Sequence, residues 1–230
     1  MNTVALIVAG GKGVRFGGLV PKQFRMIGDK PLLSWTISQF EKAGKIDEIM
    51  LVVPEEYLLY ADETIVEPYQ FRKLSKIIVG GKTRQESVIY GLKSIPISTS
   101  FVAIHDGARP IVCPDDINKV VETAQCEQAA ILARPIADTV KRVEGNYIIS
   151  TLDRKKLFQA ETPQVFQYDL IFTAHQEFSS KSATDDAYLV ELRGFKVRTV
   201  IPDNPNIKVT TEKDLEIVKY LLRENNGSPN

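Results

Sequence analysis

The sequence predicts an α/β fold in which a mostly parallel sheet carries helices on both faces and a β-hairpin protrudes from the body. Apolar runs typical of strands alternate with amphipathic segments typical of helices four times between Val4 and Ala133. Such alternation favours a parallel sheet, because each strand reaches its parallel neighbour through a helix packed on one face. The glycine-rich and charged loops follow predicted strands, so we expect the ligand site at one edge of the sheet.

The first part of the chain gives the clearest elements. A continuous apolar run at 4–9 predicts a strand that is buried on both faces. Residues 31–43 predict a helix with its apolar side chains on one face, which begins at Pro31 and ends before Gly44. A second apolar run at 49–53 predicts the next strand.

The alternation continues through the rest of the chain. Residues 55–71 predict a helix and residues 77–79 a strand. Thr83, followed three residues later by Glu86, predicts a capping box at the start of a helix at 83–94. The remaining predicted elements are strands at 101–104, 129–133 and 196–201 and helices at 114–124, 168–178, 185–193 and 212–222.

Residues 139–151, TVKRVEGNYIIST, depart from this pattern. Polar and apolar residues alternate on both sides of a central Glu-Gly-Asn, which predicts a β-hairpin. An isolated hairpin is only marginally stable in water, so we expect it to pack against a partner surface. We therefore expect a dimerisation arm at about 137–156 on a body that spans residues 1–230.

Composition and charge exclude several classes of function. With 230 residues, 43% of them hydrophobic, the chain can bury the core of one domain or of two small ones. The 29 basic residues balance the 29 acidic ones, so no overall field attracts nucleic acid or an anionic membrane. No apolar run approaches the ~18 residues that a membrane span needs. The two cysteines lack metal-ligand spacing and no signal peptide is evident, so we expect a reduced, cytoplasmic protein.

The loop that follows the first strand has the character of a phosphate-binding site. A Walker A loop is excluded because Lys12 is followed by Gly13, and a dinucleotide fingerprint fits poorly because Phe16 stands where a small residue is required. The remaining alternative is a triphosphate loop whose backbone amides, together with Arg15 and Lys22, bind phosphate oxygens. A tight turn with solvated cations is the structural alternative.

The motifs together are similar to those of a known enzyme family. The stretch AGGKGVRFGGLVPKQF resembles the cytidylyltransferases of the isoprenoid pathway, which join CTP to 2-C-methyl-D-erythritol 4-phosphate. GGKTRQESV, HDGARP, ADTVKR, AETPQVF, TDDA and NIKVTTEKDL follow in the family's order, so the resemblance spans residues 5–215. It implies a Rossmann-like fold of the nucleotidyltransferase type over the whole chain.

A sister family, the ribitol-5-phosphate cytidylyltransferases, shares most of these motifs. Its loop after the fourth strand usually reads Asp-Ala-Val-Arg-Pro, whereas this chain has Asp-Gly-Ala-Arg-Pro at 106–110. The loop is therefore closer to that of the methylerythritol enzymes. A catalytically silent CTP-binding module and an NAD-binding oxidoreductase are the alternatives from other classes of function.

The resemblance implies that a substrate phosphate oxygen attacks the α-phosphorus of CTP and that pyrophosphate leaves. The nucleophile already carries its charge, so the site needs cations and correct positioning more than a strong base. The resemblance assigns the catalytic roles to Arg15, Lys22 and Lys208. It also implies Mg²⁺, or another divalent cation, held mainly by phosphate oxygens, with Asp106 as a candidate metal ligand.

The same resemblance assigns the binding residues. CTP is expected to contact the first loop and the loop before the capped helix, at Ala9, Gly10, Gly11, Gly13, Gly81, Lys82 and Ser87. Some members carry an acid where this chain has Lys82, and Arg84 is expected to support the loop.

The sugar-alcohol phosphate is expected to contact Asp106, Gly107, Arg109, Thr139, Arg154 and Thr184. The resemblance implies that Arg154 and Thr184 belong to the arm region and serve the neighbouring subunit of a homodimer. The structural alternatives are a surface charge for Arg154 and, for Thr184, a cap of the helix that follows. For His105 we expect a role in orienting the loop.

Overall fold

The computed structural model describes residues 1–10 and 21–225, and a seven-stranded sheet forms the centre of this part of the chain. The strands are β1 Thr3–Val8, β2 Met26–Ile27, β3 Lys30–Pro31, β4 Glu48–Val53, β5 Leu74–Val79, β6 Phe101–Asp106, β7 Ala129–Pro135, β8 Lys141–Glu144, β9 Tyr147–Thr151, β10 Phe158–Gln167 and β11 Arg198–Val200. The α-helices are α1 Leu32–Lys42, α2 Leu58–Ala61, α3 Glu67–Tyr69, α4 Arg84–Ser94, α5 Pro114–Glu127, α6 Tyr168–Glu177, α7 Asp186–Leu192 and α8 Glu212–Asn225.

The order of strands across the central sheet is β11-β7-β10-β6-β1-β4-β5. Strand β1 runs parallel to β4 and β6, β4 runs parallel to β5, and β11 runs parallel to β7. Only β10 among these seven described strands is antiparallel to its neighbours, β6 and β7. The prediction of a mostly parallel sheet is therefore confirmed.

Strand β10 is the main element that the sequence did not predict. Its sequence FQAETPQVFQ contains Pro163 and several polar residues, which argue against an interior strand. The pairing of β10 with β7 shifts register between Ala160 and Gln164, so the proline lies at an irregularity where its missing N–H is tolerated. Residues 161–166 are nevertheless buried.

Helices cover both faces of the sheet, as predicted. Ala5 and Ile7 of β1 face one core, to which α1 and α5 contribute. Val4 and Leu6 face the opposite core, formed with α4, α6 and α7. This alternation follows from the two-residue period of a strand, and it makes β1 apolar throughout because both of its faces are buried. Val209 and Leu215 belong to a third cluster beneath α8.

The helix predicted at 55–71 is present as a continuous helical run at 55–69 that changes its type along its length. A 3₁₀ turn at Glu55–Tyr57 leads into α2, and a π-helical segment at Asp62–Val66 leads into α3. Pro68 lies in α3, which ends one residue later at Tyr69. None of the helices in the described ranges 1–10 and 21–225 is long and apolar enough to cross a membrane.

The predicted hairpin is present as β8 and β9, which pair with each other in a separate two-stranded sheet. Gly145 has a φ of +57° in its turn, a backbone conformation that glycine adopts readily. Four of its large apolar side chains are more than half exposed: Val143, Tyr147, Ile148 and Ile149.

Candidate active site

The carboxyl ends of four parallel strands meet at one edge of the sheet. The amide of Ala9, just beyond β1, donates to the carbonyl of Val52 on β4 at 2.8 Å. The amide of Gly107, just beyond β6, donates to the carbonyl of Val8 at 2.9 Å. Ala9 and Gly10 therefore lie between the loop at 80–83, which follows β5, and the loop at 106–110, which follows β6.

The loop at 80–83 is shaped by Ser87, a buried residue of α4. The hydroxyl of Ser87 accepts from the amide of Gly81 at 3.1 Å and donates to the carbonyl of Thr83 at 2.9 Å. A Cβ added at Gly10 would lie 3.1 Å from this hydroxyl oxygen, and one at Gly80 would lie 2.9 Å from it. Glycine at both positions thus lets the first loop approach the second closely.

The predicted capping box at the start of α4 is confirmed. The Thr83 hydroxyl accepts from the amide of Glu86, and the Glu86 carboxylate accepts from the amide of Thr83. The same carboxylate accepts from the amide of Lys82 at 2.6 Å. The Lys82 side chain is exposed, so the hydrogen bonds that hold this loop use its backbone and not its ammonium group.

Asp106, at the end of β6, is the centre of a cluster of charged side chains. Its Oδ1 accepts from Arg84 Nε at 3.0 Å, and its Oδ2 accepts from Lys208 Nζ at 2.7 Å. Arg109 Nε lies 3.8 Å from the same Oδ2. Burial by itself would raise the pKa of Asp106, but the nearby Arg84, Lys208 and Arg109 outweigh it and hold that pKa well below its usual range. Asp106 is therefore a carboxylate at neutral pH.

A buried chain of hydrogen bonds fixes the backbone around Asp106. Thr162 Oγ1, on β10, accepts from the amide of Asp106 at 3.1 Å and lies 3.0 Å from His105 Nδ1. His105 Nε2 lies 3.2 Å from the carbonyl oxygen of Arg109, so this nitrogen carries the proton that it donates. Burial lowers the pKa of His105 to about 3, so its imidazole is neutral and holds the loop without exchanging protons with the substrate near neutral pH.

We expect His105 to make stability fall as the pH is lowered from about 6 to about 4, by about 1.4 kcal/mol per pH unit. The unfolded chain takes up a proton near the ordinary histidine pKa, whereas the folded protein does not until near pH 3. Urea unfolding of the parent and of His105→Asn at several pH values measures this slope. Equal slopes in the two proteins would contradict the prediction.

Lys208 and Lys22 reach the same edge from opposite ends of the chain. The amide of Val209 donates to the carbonyl of Ala108 at 2.8 Å, which holds the segment after β11 against the loop at 106–110. Lys22 Nζ donates to the carbonyl of Val209 at 2.8 Å. The two predicted catalytic lysines therefore flank one residue, Val209, beside the carboxylate of Asp106.

The site thus combines a glycine-lined loop, two lysines and an ionised carboxylate that is paired with cationic side chains, all at one edge of the sheet. A family model for 2-C-methyl-D-erythritol 4-phosphate cytidylyltransferase matches residues 3–224. The chain belongs to this family.

Individual relatives extend this result. A protein of Desulforamulus reducens with that name is 42% identical over 228 residues, which cover 98% of this chain and 97% of the relative. A second, from Geotalea uraniireducens, is 38% identical over 231 residues, covering 99% of each. The crystal structure of 4-diphosphocytidyl-2C-methyl-D-erythritol synthase from Anaerococcus prevotii is similar, with a TM-score of 0.84 at 28% identity over 96% of this chain and 98% of that one.

Most of the site residues that the family resemblance suggested lie together. The structure brings these residues to the sheet edge: Ala9, Gly10, Lys22, Gly81, Lys82, Ser87, Asp106, Gly107, Arg109 and Lys208. Gly11, Gly13 and Arg15 lie outside the described residues.

Three predicted residues remain, of which two lie in the arm region and one stands before α7. Thr139 is exposed beside the hairpin, and Arg154 donates to the carbonyl of Ala137 at the base of the arm. Thr184 is exposed just before α7. It does not cap that helix: Asp185 does, by accepting from the amide of Tyr188 at 3.0 Å. A carboxylate has two oxygens to offer the free amides of the first turn, and Asp185 stands one residue closer to them.

Two residues that position the site were not predicted. Gln23 is buried, and its Nε2 donates to the carbonyl of Ala9 at 2.9 Å. Thr162 links β10 to Asp106 and His105 as described above. Gln23 lies within PKQF and Thr162 within AETPQ, so both belong to the quoted motifs, but neither residue type signals such a role by itself.

The side chains at this edge suit a metal ion that takes most of its ligands from a bound phosphate compound and from water. In the part of the chain that the structure describes, no three side chains of His, Cys, Asp or Glu converge as metal ligands would. Asp106 offers one carboxylate, and both of its oxygens accept hydrogen bonds from cationic side chains. A divalent cation fits here only if phosphate oxygens and water supply most of its ligands.

Proposed function

We propose that this chain transfers the cytidylyl group of CTP to 2-C-methyl-D-erythritol 4-phosphate and releases pyrophosphate. The product is 4-diphosphocytidyl-2-C-methyl-D-erythritol, an intermediate of non-mevalonate isoprenoid biosynthesis. The observation that carries the proposal is the meeting of Lys22 and Lys208 at Val209, beside Asp106, in a chain whose relatives bear this activity in their names. One nucleotidyltransferase domain covers residues 1–230 in this proposal.

The residues act by position and charge. The substrate phosphate oxygen forms a bond to the α-phosphorus, and the bond from that phosphorus to the bridging oxygen breaks, so that its electron pair leaves with pyrophosphate. Lys22 and Lys208 supply positive charge to the α-phosphate as negative charge develops, and Arg15 binds the triphosphate. Backbone groups of the loops at 9–13 and 80–82 hold the nucleotide, with Ser87 fixing the second loop.

The polyol side of the site lies at the loop after β6. In this proposal Asp106, Gly107 and Arg109 bind the sugar-alcohol phosphate. The guanidinium of Arg109 is itself held, because its Nη1 donates to the carbonyl of Asn206 at 2.7 Å. Mg²⁺ or another divalent cation, bound by phosphate oxygens with Asp106 as its candidate protein ligand, would neutralise phosphate charge.

The arm at about 137–156 completes the site of a second subunit in this proposal. Its four exposed apolar side chains support a dimer interface, because a partner would remove them from water. Thr139, Arg154 and Thr184 then serve the substrate of the neighbouring subunit. The two free thiols, Cys113 and Cys126, agree with a reducing, cytoplasmic setting.

Pyrophosphate release with CTP and Mg²⁺ tests the proposed function. The enzyme is given either 2-C-methyl-D-erythritol 4-phosphate or ribitol 5-phosphate, and release with the first substrate alone is the expected result. Release with the second alone would keep the reaction and reject the substrate. CTP binding without release from either would reject the enzymatic function.

Replacing Arg154 by alanine is expected to raise the KM for the sugar-alcohol phosphate about tenfold and to leave the KM for CTP within about twofold. The reason is that Arg154 lies in the arm, away from the nucleotide loops. Steady-state kinetics with each substrate varied in turn gives both constants. An equal rise in both would contradict a role in the sugar-phosphate pocket.

Mixing this variant with Lys22→Ala tests whether the arm acts across subunits. Each mixed dimer would contain one site with an intact Lys22 and an intact partner arginine. At a sugar-alcohol phosphate concentration well below the parent KM, where Arg154→Ala alone has about a tenth of the parent activity, exchange of subunits raises the activity of an equal mixture from about a twentieth to about a quarter of that of the parent. Activity that stays at the level of the separate variants would reject the shared site.

A further inference from the structure

Asp106 is the middle of a longer chain of charged side chains that continues into the protein. Behind Asp106, Arg84 Nη2 donates to Asp186 Oδ2 at 2.8 Å, and Asp186 Oδ1 lies 3.0 Å from His175 Nε2. In front of it stands Lys208. The guanidinium of Arg84 thus bridges two carboxylates through two different nitrogen atoms, Nε to Asp106 and Nη2 to Asp186.

In this series of charged side chains, Asp186 at the inner end is fixed in the core, and Lys208 at the outer end is accessible to a ligand. The Asp186 side chain is 1% exposed, whereas that of Lys208 is 41% exposed. Gln164 Oε1, on β10, accepts from the amides of Asp186 and Ala187 at 3.1 and 3.0 Å, which fixes the first turn of α7. The orientation of the cluster is therefore imposed from the core outward.

Besides bridging the two carboxylates, Arg84 affects how tightly Asp106 binds the ammonium group of Lys208. Three cationic side chains, those of Arg84, Arg109 and Lys208, face the two carboxylates of Asp106 and Asp186. If Arg84 did not neutralise part of the charge of Asp106, that carboxylate would hold the Lys208 ammonium more tightly. Lys208 would then be less available to a phosphate, since the two anions compete for the same cation.

We propose that Arg84 and Asp186 are positioning residues for the transfer reaction. They commit one oxygen of Asp106 to the interior and leave the other to Lys208, so that the ammonium group is oriented yet readily released to the α-phosphate. This inference rests on the proposed function, in which Lys208 acts on CTP. Neither residue touches the substrate in this scheme.

The Arg84→Lys substitution is the sharpest single test, because a lysine keeps the charge but has no planar fork with which to bridge two carboxylates. We expect kcat to fall about tenfold to a hundredfold while the dissociation constant of CTP changes by less than about threefold. Arg193→Lys is the matched control. Arg193 pairs with Glu177 on the surface at 2.8 Å, and its replacement is expected to leave both constants unchanged.

A double-substitution cycle separates positioning from simple structural support. Arg84→Lys is combined with Lys208→Ala, and both are followed in single-turnover reactions with enzyme in excess. If Arg84 acts through Lys208, its replacement in the Lys208→Ala background costs less than about threefold. Equal losses in the two backgrounds, or no loss in kcat from Arg84→Lys alone, would overturn the proposal.

Asp186→Asn provides the second variant, because it keeps the shape of the side chain if Arg84→Lys fails to fold. We expect the same fall in kcat with nearly unchanged CTP binding, and the same loss of effect in the Lys208→Ala background. Unchanged kcat, or an effect that persists in that background, would also overturn the proposal. A parent enzyme that releases no pyrophosphate would instead reject the proposed function itself.

Discussion

Replacing Lys22 by alanine is expected to lower kcat by about a hundredfold to a thousandfold, the loss seen when one donor to a developing oxyanion is removed. Lys22 Nζ reaches the Val209 carbonyl, one residue from Lys208, so the two ammonium groups approach the same phosphate in the proposed mechanism. The effect on CTP binding is expected to be smaller, because the charge that Lys22 meets is greatest in the transition state.

Lys219→Ala is the matched control for this experiment. Lys219 lies on α8 and pairs with Glu216 at 3.8 Å on the surface, so its loss is expected to leave turnover unchanged. Stopped-flow or coupled measurement of pyrophosphate release gives kcat, and equilibrium titration gives the CTP dissociation constant. Turnover of Lys22→Ala within about threefold of the parent would refute its catalytic role.

The second large effect is expected on stability. Asp106→Asn should lower the free energy of unfolding by about 3–5 kcal/mol, because it leaves the buried Arg109 and the partly buried Arg84 without the carboxylate between them. The hydrogen bond from Lys208 also weakens, so turnover should fall together with stability. Denaturation by urea measures the first effect, and kinetics of the remaining folded protein measures the second.

The pH dependence of the parent gives an independent check on Asp106. The cations hold the pKa of this carboxyl below its unfolded value, so its contribution is complete above about pH 4 and is lost as the pH falls further. Asp106→Asn should remove that part of the acid sensitivity. Asp203→Asn is the control, since Asp203 pairs with Lys119 on the surface and its loss is expected to cost about 0.5 kcal/mol or less. A similar cost for both variants would contradict the stabilising role of the cluster.

Local signals explain which parts of the fold could be predicted. The capping box of α4, the apolar run of β1 and the alternating residues of the hairpin each depend on neighbours in sequence. Strand β10 could not be predicted in this way, because it is buried by its neighbours β6 and β7 and not by its own composition.

The same distinction holds for the site. Lys208 and the loop at 106–110 lie in recognisable motifs, and the hydrogen bond from the Val209 amide to the Ala108 carbonyl holds the two segments together. The hydrogen bond between Arg84 and Asp186 joins residues that are 102 positions apart, and no local sequence pattern predicts it. The sequence also did not identify Asp185, rather than Thr184, as the cap of α7, since several residues of one polar run are suited to that role.

The connection between β7 and β10 has a consequence for how this molecule can vary. Pro135 and Phe158 are direct partners across these two antiparallel strands, and Ile136 N donates to the Leu157 carbonyl at 3.2 Å. Residues 136–157 are therefore the enlarged tip of an ordinary strand-to-strand connection. Such a tip can lengthen, shorten or change its surface without shifting the register beneath it. The surface of the arm can accordingly change while the strand ends that carry Asp106 and Gly107 keep their positions.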